Sequence, residues 1–289
     1  MPITRRTFLL TTLPALLAAG CAKSRHADSD PQGDQADGPR VLATVEPVSF
    51  FLRELSAEAV EVETLVPAGQ EPETFALTVP RLARLTGCAV LFRVGFPLED
   101  TLFERLRSSA ARSSSVEPVV VDLRPEVTDN TDPHIWMSPA VMKAALPIMA
   151  EALTKLAPSA SEEIARREDN LTARLTALEE EITRAINELE TRDLYVFHPA
   201  YGYFCRQFGL EQIAFEDDGH EPSPREMADW IRQVQEKHVP VIIAQPEFSQ
   251  AQIESVADQT GVPVRVHSPL EGDYFKNLRD LTALITGDF

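Results

Sequence analysis

Positive charge is scarce in this sequence. Its 289 residues include 27 Lys and Arg against 45 Asp and Glu, which gives a formal net charge of −18 at pH 7. Nucleic acids and anionic membrane surfaces attract proteins with an excess of Lys and Arg. The composition therefore argues against both as partners. A chain of this length that is 44% hydrophobic is able to bury one large core or two modest ones.

Cysteine is also rare, with three in the whole chain. Cys21 lies near the N-terminus, whereas Cys88 and Cys205 are far apart in the sequence and have apolar neighbours. This pattern does not indicate a disulfide framework. We expect Cys88 and Cys205 to be buried free thiols.

The N-terminal segment "TRRTFLLTTLPALLAAGC" has an apolar run that is too short for a stable transmembrane helix. The adjacent Arg5 and Arg6, the apolar run and the small residues before Cys21 are typical of a signal peptide. The start of the segment resembles a twin-arginine export signal, and "LAAGC" resembles a lipoprotein cleavage site. An ordinary Sec signal that happens to contain two arginines is the alternative.

We therefore predict that residues 1–20 are a signal peptide and that Cys21 becomes the lipidated first residue of the mature chain. Residues 22–39 are polar and rich in Asp, Gly and Pro, so we interpret 21–39 as the lipidated cysteine followed by a flexible tether. The expected location is the periplasmic side of the inner membrane, as an exported, membrane-anchored lipoprotein.

Short β-branched runs alternate with helical stretches from residue 41 onward. This alternation is typical of a mostly parallel sheet that is covered by helices on both faces. We predict an α/β fold with two such lobes, an N-terminal lobe over 40–158 and a C-terminal lobe over 192–289. The strand candidates are "VLATVE", "VEVETLV", "AVLFRV" and "PVVVD" in the first lobe, and "LYVF", "QIAFE", "PVIIAQ" and "VPVRVH" in the second.

One long helical pattern, residues 159–191, separates the two lobes. Its apolar positions fall on a single helix face, and Ser159 with Glu162 predicts a capping box at its start. About thirty residues at 1.5 Å each would form a helix of roughly 45 Å. A coiled-coil dimer arm is the alternative, but a single pattern between two α/β halves better suits one rigid linking helix in a monomer. The apolar positions are Ile164, Leu171, Leu175, Leu178, Ile182, Ile186 and Leu189.

Four loops that leave predicted strands carry residues able to bind a metal ion. In open α/β sheets, ligands bind in the crevice beyond the carboxyl ends of the strands. Histidines and carboxylates from both lobes are therefore expected to meet at the cleft between the lobes. The residues are Glu71 and Glu73 in "AGQEPETF", His134 in "TDPHIW", His198 after "LYVF", and Glu271 and Asp273 in "SPLEGDY".

At these positions the sequence resembles the zinc/manganese solute-binding lipoproteins that feed ABC importers, solute-binding protein family 9. The resemblance covers about residues 40–289. It implies two α/β lobes joined by one long rigid helix, with a metal ion bound between them. The motifs that carry it are "LVPAGQEPETF", "DPHIWMSP", "VFHPAYGYF", "EPSPREM", "AQPEFSQ" and "SPLEGDYFKNLRDL".

The family's ligand positions fall on His134, in the DPHxW motif, and on His198, in the third motif. Where the family usually reads Glu-Pro-His, this chain reads Glu71-Pro72-Glu73. Glu73 is therefore the expected substitute ligand. The alternative is that Glu73 points to solvent and leaves the site incomplete.

The last ligand position also departs from the family, since the usual Asp falls near Ser268. Glu271 is the expected source of the missing oxygen, with Glu247 and Asp273 as alternatives. Asp132 is a candidate to orient His134, although capping a local turn is an equal possibility. For His267, a structural role at a strand end is favoured over metal binding.

Two imidazoles and one or two carboxylates form a mixed nitrogen and oxygen site that suits Zn²⁺ first, then Mn²⁺ or Fe²⁺. The resemblance implies a binding protein that delivers this ion to an ABC permease in the inner membrane. The alternatives are a metal-dependent enzyme with a two-His/carboxylate site, and a metal-free surface adhesin on the same scaffold. An enzyme is disfavoured because the sequence has no HExxH motif, no His-x-Asp spacing and no Gly-flanked serine nucleophile.

Overall fold

The N-terminal lobe is built around a four-stranded sheet in which every strand runs parallel to its neighbours. Its strands are β1 (Arg40–Ala43), β2 (Glu61–Thr64), β3 (Val90–Arg93) and β4 (Val119–Asp122), and its helices are α1 (Glu46–Ser56), α2 (Val79–Leu85), α3 (Pro97–Ser113) and α4 (Pro139–Leu156). In the strand order β2-β1-β3-β4, the second strand lies on one side of β1, and the third and fourth lie on the other side. The point at which the strand order reverses is therefore beside β1. The computed structural model describes residues 38–113, 117–124, 132–216, 223–237, 239–246 and 250–287.

The linking helix is α5 (Ser161–Asn187), a 27-residue helix. Six of the seven predicted stripe positions, Ile164 through Ile186, are buried on it, while Leu189 follows its last turn. The predicted capping box is wrong, because residues 158–160 form a separate 3₁₀ turn and the helix begins only at Ser161. Ser159 therefore lies one residue before the N-cap position, which is occupied by Ala160.

The C-terminal lobe repeats the architecture of the first. Its sheet is again fully parallel, in the order β6-β5-β7-β8, so its reversal point lies beside β5. A capping box is present in this lobe, since Ser223 and Glu226 bond reciprocally at the start of a helix. The strands are β5 (Asp193–Val196), β6 (Glu211–Ala214), β7 (Ile242–Ala244) and β8 (Val264–Val266), and the helices are α6 (Gly202–Phe208), α7 (Pro224–Glu236), α8 (Gln250–Thr260) and α9 (Tyr274–Thr286). The predicted α/β fold with two parallel sheets is confirmed.

The two lobes share an apolar core, and both lie in one compact unit that spans 37–289. Phe51 of α1 packs edge-to-face on Tyr274 of α9, with ring centroids 4.6 Å apart. The buried indole of Trp136 donates a hydrogen bond of 2.8 Å to the carbonyl of Pro269. Helix α5 packs against α1 and α4 of the N-terminal lobe and against α9 of the C-terminal lobe. The contact between the lobes is thus built from packed side chains as well as from the linking helix.

Cys88 and Cys205 are buried free thiols, as the sequence predicts. Burial raises the pKa of the Cys88 thiol to about 11 and that of Cys205 to about 12. Both are therefore protonated, unreactive core residues at neutral pH. Cys21 lies outside the described residues. Within the described part of the chain, no helix has both the length and the apolar content needed to cross a membrane.

Candidate metal site

Three of the predicted ligand residues come together at the cleft between the lobes. One carboxylate oxygen of Glu73 lies 3.3 Å from Nε2 of His134 and 3.5 Å from Nε2 of His198. The two imidazole rings have centroids 5.3 Å apart and planes at 72°. Each residue offers one ligand atom, and these atoms all lie within 4.8 Å of one another. Two nitrogens and one oxygen therefore face a common point.

His134 is held at the entrance to α4 by its own loop. The loop passes through Pro133 into a 3₁₀ turn over Ile135–Met137, and Ser138 then caps α4 by accepting a hydrogen bond from the Val141 N–H. The carboxylate of Asp132 accepts from the His134 backbone N–H at 2.9 Å and from its Nδ1 at 2.8 Å. Because a carboxylate only accepts, Nδ1 must donate. Asp132 therefore both closes the local turn and directs Nε2 of His134 toward the site.

His198 lies two residues after the end of β5, at the reversal point of the second sheet. Gln245, which follows β7, accepts from the His198 N–H and donates to its carbonyl, both at 3.2 Å. Nδ1 of the ring donates to the carboxylate of Glu216 at 2.6 Å. Nε2 is buried and has no hydrogen-bond partner among the described residues. An unsatisfied buried nitrogen that points at a carboxylate is what a metal ligand needs.

Glu73 comes from the loop that follows β2, and its side chain is 28% exposed. It is the member of the group that borders solvent, since both imidazoles are buried. Glu71, in the same loop, does not belong to the group. The departure from the usual Glu-Pro-His motif thus places a carboxylate, not an imidazole, beside the other two candidate ligands.

Opposite charges in the group shift its pKa values strongly. Burial would raise the pKa of Glu73, but the adjacent imidazoles of His134 and His198 hold it far below its ordinary value. Burial would lower the pKa of His198, yet the carboxylates of Glu216 and Glu73 raise it to about 10. Burial would also lower the pKa of His134, but the carboxylates of Asp132 and Glu73 raise it above its ordinary value. Without a metal ion, the ring of His198 is therefore protonated at neutral pH, and the ring of His134 keeps its proton to a higher pH than an ordinary histidine.

Aromatic side chains shield one side of the site. Phe96 packs edge-on against His134, with ring centroids 6.0 Å apart, and Trp136 lies 5.2 Å from the same ring. Phe96 and Trp136 are fully buried. A dry, apolar wall lowers the local dielectric constant and strengthens the attraction between the ligands and a cation.

The structure does not bring Glu271 to this group, although it was the expected fourth ligand. Glu271 lines a surface cavity of the C-terminal lobe with Ser268 and Lys276, and its carboxylate accepts from the neighbouring Gly272 N–H. Its loop is fixed by other contacts, since Asp273 caps α9 through the Lys276 N–H. The alternative Glu247 lies outside the described residues.

His267 has the structural role favoured by the sequence. Its Nε2 donates to the carbonyl of Asn277 at 3.1 Å, and its Nδ1 lies 3.1 Å from the hydroxyl of Tyr201. Burial lowers the pKa of His267, so it is a neutral strand-end residue. Both ring nitrogens are occupied within the lobe, which leaves none for a metal ion.

Sequence reasoning missed Glu216. This residue follows β6, and its carboxylate supports His198 as Asp132 supports His134. The rule that located the other candidates, polar residues directly after a strand, applies to "QIAFE" as well. The site therefore has two imidazoles, each with Nδ1 bound to a carboxylate, and one carboxylate facing both. This donor set fits a divalent ion and leaves room for a further ligand.

Comparison with known proteins finds relatives that are named for zinc and for manganese. A family model described as "Zinc-uptake complex component A periplasmic" (ZnuA) matches residues 41–287. The high-affinity zinc uptake system protein ZnuA of Yersinia pestis is 25% identical over 80% of this chain and 82% of its own length. The manganese-binding lipoprotein MntA of Halalkalibacterium halodurans is 23% identical over 86% of this chain and 84% of its own.

Solved structures extend the similarity to the fold. The chain is similar to a crystal structure of ZnuA with a TM-score of 0.80 and 26% identity, over 87% of this chain and 99% of that one. The family model spans both sheets, the linking helix and all three converging side chains. The chain therefore belongs to the periplasmic zinc-uptake component A (ZnuA) family, the solute-binding protein family 9 that its motifs resemble.

Proposed function

We propose that this protein is the extracytoplasmic solute-binding component of an ABC transporter that captures a divalent transition metal ion and delivers it to a permease in the inner membrane. Zn²⁺ is the first candidate for the cargo, followed by Mn²⁺ and Fe²⁺. The observation that carries the proposal is the convergence of Glu73, His134 and His198 on one point, where Nε2 of His198 is buried and has no hydrogen-bond partner in the described part of the chain. Relatives named for zinc uptake and for manganese binding support Zn²⁺ and Mn²⁺ as cargo.

The charge of the site supports capture of a dication. When both imidazoles are neutral, three carboxylates give the site a negative charge. Glu73 faces the point where the ligand atoms converge, and Asp132 and Glu216 lie behind the two imidazole rings, bonded to their Nδ1 atoms. A divalent ion compensates much of this negative charge in a partly dehydrated cleft. The same carboxylates increase the basicity of the imidazoles, which strengthens their bonds to a metal.

A metal-dependent enzyme is the second candidate, because two histidines and a carboxylate are also able to hold a catalytic ion. Catalysis would need a general base that is free to move a proton. Asp132 and Glu216 instead hold the ring nitrogens of the two histidines. Membership in a family of metal-uptake proteins also favours transport.

Equilibrium titration of the purified chain tests the proposal. We expect one Zn²⁺ per chain and no turnover of generic ester or phosphate substrates. Affinity should keep rising from about pH 6 to about pH 9, because the raised imidazole pKa values make protons compete with the metal well above the ordinary histidine pKa of about 6.5. Calorimetry in buffers of different ionisation enthalpy would measure the protons released. A protein that binds no divalent ion would contradict the proposed function.

We infer that the protein acts as a monomer anchored by a lipid at Cys21, after export through the signal in residues 1–20. The motif "LAAGC" and the paired Arg5 and Arg6 support this inference. Replacing Cys21 by Ser should release the protein as soluble material, because the thioether to the lipid cannot form. Fractionation of cells that express each form is the measurement. Membrane attachment that is unchanged in Cys21→Ser would refute the lipid anchor.

A further inference from the structure

Helix α6 of the C-terminal lobe reaches across the cleft to the loop that carries His134. The guanidinium of Arg206 donates to Oδ2 of Asp132 at 3.3 Å. The next residue, Gln207, accepts from the Ser138 hydroxyl at 2.6 Å and from the Ala140 N–H at 3.1 Å. The C-terminal part of α6 is thus bonded to the Asp132 carboxylate and to the start of α4, which follows the His134 loop.

Gly202, the first residue of α6, allows this approach. A Cβ at this position would lie 2.7 Å from Oδ2 of Asp132 and 3.0 Å from Nη1 of Arg206. Gly202 is not among the glycines with positive φ, so its backbone conformation is open to other residues. The absence of a side chain here is explained by the closeness of the Asp132 carboxylate, not by backbone conformation.

The two carboxylate oxygens of Asp132 accept hydrogen bonds from different lobes. Oδ1 accepts from the backbone N–H and from Nδ1 of His134, in the same lobe. Oδ2 accepts from Arg206 of the opposite lobe. A carboxylate is planar, so a contact that fixes one oxygen also fixes the direction of the other. Asp132 is largely buried, with 17% of its side chain exposed, which leaves little room for another orientation.

We propose that Arg206 and Gly202 are positioning residues of the metal site: Arg206 holds the Asp132 carboxylate in the orientation that aims Nε2 of His134 at the ion, and Gly202 leaves the space that this carboxylate occupies. The proposal rests on the proposed function. It also links the two histidines across the cleft, because α6 begins shortly after His198 in the same lobe. The position of the C-terminal lobe would then affect how well His134, in the N-terminal lobe, binds the metal ion.

A purely structural role for Arg206 makes different predictions. Its guanidinium also stacks on the ring of Tyr203 at 4.3 Å, and its side chain is 53% exposed. If that stacking were its whole contribution, replacement would change thermal stability slightly and leave metal affinity unchanged.

The experiment compares Zn²⁺ affinity and melting temperature of Arg206→Gln, Arg206→Lys and Gly202→Ala with the unmodified chain. Supporting contacts of metal-bound histidines typically change affinity by 10–100-fold, so we expect a loss of about 10-fold or more in Arg206→Gln and Gly202→Ala, and partial recovery in Arg206→Lys. In Gly202→Ala the new Cβ meets side-chain atoms of Asp132 and Arg206 and no backbone atoms, so the melting temperature should fall only slightly. Arg279→Gln is the matched control, because Arg279 is 47% exposed and pairs with Glu181, away from the site. Its affinity should not change.

Combining variants tests the route through Asp132. In an Asp132→Ala background, Arg206→Gln should lower the affinity by less than about 2-fold, because the effects of substituting two residues of one hydrogen-bond network are not additive. The absorption spectrum of bound Co²⁺ should shift in Gly202→Ala, since it reports ligand geometry. Full affinity in both Arg206→Gln and Gly202→Ala, or additive losses with Asp132→Ala, would overturn the positioning role while leaving the proposed function intact. Failure of the unmodified chain to bind any metal would overturn both.

Discussion

Alanine at His134 or at His198 is expected to lower the affinity for Zn²⁺ and Mn²⁺ by about 100-fold or more. Each change removes one of the two nitrogen donors that face the common point, and water is a poor substitute in a site shielded by Phe96 and Trp136. The loss should be similar for both residues, since each ring is buried and held by one carboxylate through Nδ1. Calorimetric titration with each ion is the measurement.

His267→Ala is the matched control for this pair. His267 is also a buried histidine, but it bridges Tyr201 and Asn277 within one lobe. Its removal deletes the buried hydrogen bonds to the Asn277 carbonyl and the Tyr201 hydroxyl, which should cost about 1–3 kcal/mol of the free energy of unfolding. The metal affinity of this variant should stay close to that of the unmodified chain. If both His134→Ala and His198→Ala instead bound metal with unmodified affinity, the proposed site would be wrong.

Replacing Glu73 should change both the strength and the selectivity of binding. Glu73→Ala is expected to lower affinity by about 100-fold, because it removes the carboxylate that lies against both imidazoles. Glu73→His should keep binding but shift the preference toward Zn²⁺ over Mn²⁺ by about 10-fold, since imidazole is a softer ligand than carboxylate. Competition between the two ions, measured on each variant, gives the selectivity directly.

Glu71→Ala is the control for Glu73. The two residues lie in the same loop and carry the same charge, but of the two, Glu73 alone belongs to the converging group. We expect Glu71→Ala to keep affinity within about 3-fold, the change that loss of a nearby charge produces without loss of a ligand. The opposite pattern, a large loss in Glu71→Ala with full affinity in Glu73→Ala, would assign the first-motif ligand to Glu71.

The periodic features of the sequence were sufficient to predict the architecture. Alternating strands and helices predicted two parallel sheets, and the stripe from Ile164 to Ile186 predicted the linking helix. Both features depend on local periodicity and on burial of one face, which a sequence records directly. The exact start of α5 was not predictable in the same way. A 3₁₀ turn at 158–160 competes with the proposed capping box, and the difference in free energy between such helix starts is small.

For the candidate site, the sequence by itself determined which loops carry Glu73, His134 and His198, because residues after parallel strands meet at one edge of a sheet. Tertiary structure alone decided which side chains support them. The contacts of Glu216 with His198, of Gln245 with His198 and of Arg206 with Asp132 join residues 18, 47 and 74 positions apart. Tertiary structure also kept Glu271 away from the group, in a surface cavity of its own lobe. Such contacts depend on how two lobes pack and on the rotamer of each side chain, and neither leaves a periodic signal in the sequence.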